Sequence, residues 1–246
     1  MKLYEPVDVL KLVDRDLWIV DGPTVTLTSS GFSMPFPTRM VVARLADGGL
    51  WIWSPVELSS ELRRQLDALG PVRHIVSPNK IHYVHVAAWK AAYPDAIAWA
   101  SPGVRERAES MHAQVAFDRD LVDTPDAAWA GEVDQLVFRG SCVMEEVVFF
   151  HRASRTLVLA DLIENFERDK LSFSERLLTR LGGVWDPDGK APTDLRLTFL
   201  GHRDVARAHL EKMMAWDPQR IVIAHGRWYD RDGAAELRRA FRWLAA

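Results

Sequence analysis

Val72-Arg73-His74-Ile75-Val76-Ser77-Pro78-Asn79-Lys80 is a short β-rich run that ends in a polar loop. A helical run from about Tyr83 to Tyr93, stopped by Pro94, follows it, and then another β-rich run, Ala96-Ile97-Ala98-Trp99-Ala100. Strand, loop, helix, strand is the repeat of a layered α/β protein rather than of a bundle or a pure sandwich. On the N-terminal side, Glu57 to Leu69 carries Leu58, Leu62, Leu66 and Leu69 at helical spacing and closes at Gly70-Pro71. Before it, Met40 to Leu45 and Leu50 to Trp53 flank Asp47-Gly48-Gly49, which predicts a hairpin. Leu17 to Val20 reads as a strand stopped by Asp21-Gly22-Pro23.

On the C-terminal side, Ser101-Pro102 reads as a cap with first-turn proline ahead of a helix from Val104 to Met111. Gln135 to Phe138, Glu146 to Phe150 and Thr156 to Ala160 then predict an antiparallel meander. Helices are expected at Phe173 to Leu181, His202 to Trp216 and Gly233 to Leu244, with a last strand at Arg220 to Ala224. Gly182 to Gly189 is turn-rich and reads as a flap or lid.

The 246 residues, 48% hydrophobic, suffice for a full core in one domain spanning 1–246. The net charge of −3 argues against an electrostatic nucleic-acid partner. No apolar run approaches the ~20 residues that cross a bilayer, so no membrane partner and a cytoplasmic location are expected. The single cysteine, Cys142, excludes an internal disulfide and a thiolate-rich metal site, and reads as a buried thiol. A metal would have to be held by histidine and carboxylate.

Ligands of layered α/β proteins gather where strands end. The loop after Val76 supplies Asn79, Lys80, His82 and His85. The strand from Thr156 ends at Asp161, with Glu164 and Asn165 just beyond, and the last strand ends at His225-Gly226. His82 and His85, three apart, share a face of a helix or its entry turn. With Asp161 and His225 they form a nitrogen and oxygen donor set suited to one Zn, Fe or Mn ion. The competing reading makes His82 and His85 a plain helix-entry pair and Asp161 an N-cap. Trp185 and Trp228 fall in turn-rich places that could wall a pocket, whereas His74, His112, His151, His202 and His209 read as structural or surface residues. The Gly-x-Ser-x-Gly elbow, the phosphate loop and the dinucleotide fingerprint are all missing.

The order of elements, with strands ending in Ala160-Asp161 and Ala224-His225-Gly226, resembles the metallo-β-lactamase-like hydrolase superfamily from about Leu17 to Trp228. That resemblance implies a four-layer αβ/βα sandwich with metal at the edge of its two sheets, the bridging aspartate at Asp161 and the last histidine at His225. Where the superfamily has Thr-His-x-His-x-Asp-His, this chain has Ser77-Pro78-Asn79-Lys80-Ile81-His82-Tyr83, and its Gly-His segment corresponds to Gly140-Ser141. The Pro78-Asn79-Lys80-Ile81-His82 stretch, with His85 and Trp89, is similar to a branch known only as a domain of unknown function. Two outcomes follow. One is a rebuilt mononuclear site on His82, His85, Asp161 and His225 that hydrolyses a small ester, thioester or amide. Its small-molecule ligand would be lined by Asn79, Lys80, Glu164, Asn165 and Trp228, with Lys80 or Asn79 stabilising the oxyanion. The other is a metal-free, non-catalytic small-molecule or partner-binding module in which Lys80 pairs with Asp161.

Overall fold

The computed structural model describes residues 1–29 and 32–245. Its first sheet runs in chain order through β1 (Lys11–Asp14), β2 (Leu17–Ser29), β3 (Phe32–Arg44), β4 (Leu50–Trp53), β5 (Val72–Val76), β6 (Ile97–Ala100) and β7 (Arg119–Asp120). Pairing is antiparallel from β1 to β4 and parallel from β4 to β7. The parallel half needs crossovers, which α1 (Ser60–Leu69), α2 (Val86–Ala92) and α3 (Val104–Ser110) contribute to. The second sheet, in the order β11-β10-β9-β8, contains β8 (Val133–Phe138), β9 (Glu146–His151), β10 (Thr156–Leu159) and β11 (Arg220–Ile223). The strands β8 to β10 form the antiparallel meander read from the sequence, and β11 lies parallel to β10. Between β10 and β11 the chain passes through α4 (Phe173–Gly182), α5 (Thr193–Leu197) and α6 (Arg203–Ala215), and it ends on α7 (Gly233–Ala240).

Side-chain alternation sets the layers. In β4, Trp51 and Trp53 enter a core shared with Val147, Phe149, Val158 and Val222 of the other sheet. Leu50 and Ile52 face Leu62 and Leu66 of α1 and Trp89 of α2. In β10 and β11, Leu157, Leu159, Ile221 and Ile223 pack on Ala206 and Met213 of α6 and Leu237 of α7. Both sheets are therefore buried on both faces, which explains their near-continuous apolar strands. Each fully buried Leu, Val or Ile contributes about 1.5–3 kcal/mol. The result is helices, sheet, sheet, helices: the four-layer α/β sandwich.

Three local expectations need correction. The strand from Leu17 does not stop at Asp21-Gly22-Pro23; β2 continues to Ser29, because the register shifts between Gly22 and Thr24 and takes Pro23 out of the ladder. Gly22 permits this crossing, since a Cβ there would lie 2.6 Å from Thr38 Oγ1 and 2.7 Å from Val56 Cβ. The turn-rich 182–189 segment, read as a flap or lid, is braced against the fold and does not line the cavity described below. Val184 is buried with Phe166 and Leu171, while Asp188 pairs with Lys190, Arg239 and Arg242. Cys142, read as buried, is exposed.

Candidate functional site

The carboxyl ends of β10 and β11 lie side by side because these strands are parallel and in register, Leu159 opposite Ile223. Two residues past each of these ends stand Asp161 and His225, and their side chains meet: His225 Nε2 lies 3.3 Å from Asp161 Oδ1. The loop after β5 is carried to the same point by a bridge between Asn79 and Glu146, backed by the Val147 amide donating to the Pro78 carbonyl at 2.7 Å. That bridge spans the two sheets. It delivers His82, whose Nε2 lies 3.3 Å from Asp161 Oδ2, and Asn79, whose Nδ2 donates to Asp161 Oδ2 at 2.7 Å.

Each of these groups is also held from behind. His225 Nδ1 lies 2.8 Å from the Pro37 carbonyl oxygen. A carbonyl only accepts, so Nδ1 carries the hydrogen and Nε2 is the nitrogen turned to Asp161. His82 Nδ1 makes a 2.8 Å hydrogen bond with Ser54 Oγ; Ser54, at φ 50, occupies the left-handed region just past β4. Gly226, at φ 97, closes the turn after His225, and a Cβ there would stand 2.1 Å from the Asn165 carbonyl oxygen. The buried Arg39 donates to the carbonyls of Ile223 and Gly226 at 2.8 and 2.7 Å while pairing with Asp21, which also binds Lys11.

The electrostatics follow from burial. Desolvation would raise the Asp161 carboxyl, but the imidazoles of His82 and His225 outweigh it and hold it well below the usual carboxylate range. Burial opposes charge on His225, yet its hydrogen bond to Asp161 and that residue's charge prevail, and its pKa rises. Beneath them Glu146 accepts from the Ala160 and Asp161 amides, each at 2.8 Å, and from Asn79 Nδ2 at 3.2 Å. Burial, then the charge of Asp161, pushes Glu146 up to about 8.

One donor atom each from His82, Asp161 and His225 lies within 4.8 Å of the others. Two imidazole Nε2 atoms and a carboxylate aimed at one point become, once the protons between them are released, a borderline-to-hard donor set that fits a divalent cation such as zinc. His85 lines the same cavity but lies outside this group; its Nε2 is buried without a hydrogen-bond partner and burial lowers its pKa. The cavity measures about 650 Å³ and runs from the β2–β3 hairpin (Val25, Thr26, Phe36) past His82, Asp161 and His225 to Asp194 and Leu195.

Of the residues expected to line it, Lys80 and Glu164 do. The expected Lys80–Asp161 pair does not form: Lys80 Nζ donates to the Val143 carbonyl, and Asn79 takes its place on Asp161. Asn79 is fully buried and committed to Asp161 and Glu146, which leaves it no hydrogen for an oxyanion. Asn165 clamps the His225 turn instead, its amide donating to the His225 carbonyl and Nδ2 to Asp186 and the Arg227 carbonyl. Trp228 packs between two cores, and Trp185 joins Phe166 and Val184. Sequence reasoning missed Glu146, Ser54 and Arg39. Among the described residues, no helix is long and apolar enough to cross a membrane.

Comparison with known proteins agrees with this architecture. The DIM-1 metallo-β-lactamase exposed to ceftazidime superposes with a TM-score of 0.65 at 13% identity, over 100% of this chain and 97% of that one. A metallo-β-lactamase from Erythrobacter litoralis with β-mercaptoethanol in its active site gives 0.65 at 14% identity, over 99% of both chains. The FIM-1 enzyme from Pseudomonas aeruginosa in its mono-zinc form gives 0.61 at 9% identity, over 100% and 96%. The chain thus has the metallo-β-lactamase-like fold. It belongs to the family described as Domain of unknown function (DUF4336), which matches residues 27–176. No curated protein matches it in sequence.

Proposed function

We propose that this protein is a metal-dependent hydrolase of a small ester, thioester or amide, with one ion held by His82, Asp161 and His225. The observation that carries the reading is the anchoring of both imidazoles through Nδ1, on Pro37 and Ser54, so that both Nε2 atoms converge on the two oxygens of one carboxylate. Such outer hydrogen bonds fix the aim of a metal-binding histidine, and the Pro37 carbonyl, which only accepts, also fixes the tautomer of His225. A bound divalent ion supplies Lewis acidity and a coordinated water whose pKa falls toward ~7.

The chain's own residues account for the rest. Asn79 and the Glu146 carboxyl beneath it hold Asp161 in place, so the three donors need little rearrangement. Phe36 stacks edge-on against His225 with ring centroids 5.3 Å apart and shields that side from water. Lys80, on the cavity wall, supplies positive charge for a developing oxyanion. The mono-zinc state described for FIM-1 supports a single-ion reading. The test is elemental analysis of protein purified without chelator or affinity metal, beside His225→Ala. About one ion per chain, lost in the variant, is the expected result. Metal-free protein whose Tm does not move on zinc addition would overturn the reading.

A further inference from the structure

Glu164 differs from the other acidic groups of the site. It keeps only 7% of its surface exposed and lines the cavity. Its backbone pairs with Lys190 in both directions, each hydrogen bond 3.1 Å, but among the described residues its carboxyl makes no hydrogen bond or ion pair. Asp161, by contrast, has Asn79, His82 and His225, and Glu146 has three N–H donors. The exposed Asp194 sits on the same cavity close enough for its charge to act on Glu164. A carboxyl that faces the cavity, mostly withdrawn from water and without a donor from the chain, is costly, and burial pushes this one up to about 8. The site's basic residues, Lys80 and Arg107, are half-buried, still touch solvent and lie by α3, where Lys80 Cδ is 3.9 Å from a Cβ placed on Gly103. Among the acidic groups of this cavity, Glu164 is the one both buried and without a hydrogen bond from the chain; on the imidazole side, His85 Nε2 is also buried and unpartnered.

We infer that Glu164, assisted by Asp194, is a cation subsite and that the ligand of this cavity carries an ammonium group on an apolar body. The ammonium supplies the N–H donors that the chain does not give Glu164, and adds to the positive charge of His225 that already acts on it. Val25, Phe36, Pro192 and Leu195 provide apolar wall for the remainder. The inference rests on the reading of this cavity as the substrate site and names the class of substrate.

The test uses three probes of one shape, benzylammonium, benzyl alcohol and benzoate, titrated calorimetrically into the full chain as purified and into Glu164→Gln and Asp194→Asn, with metal content measured in each. Benzylammonium is expected to bind at least about tenfold tighter than benzyl alcohol, as a charge-assisted contact allows. That ratio should fall to about twofold or less in Glu164→Gln and only partly in Asp194→Asn. Tighter binding of benzoate, no ammonium preference in the metal-replete wild type, or a preference that survives Glu164→Gln overturns the subsite. Should Glu164→Gln fail to fold, the wild-type ratio and its partial loss in Asp194→Asn decide. Metal-free protein whose Tm does not move on zinc addition but that still prefers the ammonium refutes the hydrolase reading and leaves the subsite standing.

Discussion

Replacing Glu164 by glutamine should stabilise the metal-free protein, and by an amount that grows with pH. The carboxyl titrates near 4.5 in an unfolded chain and near 8 in the fold, where burial is the leading cause. Below about pH 4.5 both states carry the proton, and Glu164 has no effect on the balance. As pH rises, the unfolded chain gives up its proton while the folded one retains it, so the unfolded state gains until the folded carboxyl also ionises near pH 8. With about 1.4 kcal/mol for each of the roughly 3.5 pH units separating the two, the fold is disfavoured by on the order of 5 kcal/mol above pH 8. Glutamine removes that penalty without removing any protein hydrogen bond, because the carboxyl makes none. The assay is urea unfolding of both proteins in excess chelator from pH 5 to pH 9. Glu146 is present in both proteins and drops out of the difference, but Glu164 and His225 act on each other's charge, so the comparison is repeated in a His225→Ala background, where that mutual effect is absent. At pH 5 the two should differ by less than about 1 kcal/mol; at pH 8.5 the variant should lead by up to about 5 kcal/mol, or at least about 10 °C in Tm. A difference that stays flat across the range, or that favours the wild type more as pH rises, would falsify the assignment of Glu164 as a desolvated, unpartnered group.

Other substitutions probe the frame around the donors. Gly226→Ala sets a Cβ 2.1 Å from the Asn165 carbonyl at φ 97, and should cost more than about 3 kcal/mol and abolish metal retention, read by denaturation and elemental analysis. Asn79→Ala strips a donor from both Asp161 and Glu146 and should destabilise by about 1–3 kcal/mol while weakening zinc affinity, measured by competition with a chelator. Arg39→Met leaves Asp21 buried with only Lys11 and frees two carbonyls beside His225; a loss of about 3–5 kcal/mol by chemical denaturation is expected.

The strands that carry Asp161 and His225 were legible because both faces of β10 and β11 are buried. Their apolar runs break where the chain leaves the sheet, and the first polar side chains mark the strand tips. The partner of Asp161 was not legible. Asn79 and Lys80 are adjacent and both polar, and only the bridge to Glu146, 67 residues away, turns Asn79 inward and leaves Lys80 on the cavity wall beside Val143. Glu146 was hidden for a related reason: Glu145-Glu146 reads as a charged strand entry. Its phase with Val148 and Phe150, which pack into the second sheet's outer core, was the available signal. His85 lies three residues from His82 as a helix-entry pair would, but the turns ahead of α2 bring only His82 to Asp161. Pro23 was read as a stop because proline removes a ladder donor, and a bulge that sidesteps it leaves no mark in local composition.

The cavity sorts its charged groups by who satisfies them. Asp161 is answered by two imidazoles and an amide, Glu146 by three N–H donors, and Asp21 by Arg39 and Lys11, all supplied from within the chain. Burying each of those carboxyls is offset by partners the fold itself positions, and their purpose is fully accounted for by the placement of the donor triad. Glu164 is buried to nearly the same degree and feels the charge of His225, but takes no hydrogen bond from the chain. A buried carboxyl without a hydrogen bond from the chain, where a glutamine of equal size would fit, is explained on the proposed reading by a group that enters the cavity. The donor triad and Glu164 thus define two different demands on one ligand: a bond to be polarised at Asp161, and a positive group to be received a few residues further along the same loop.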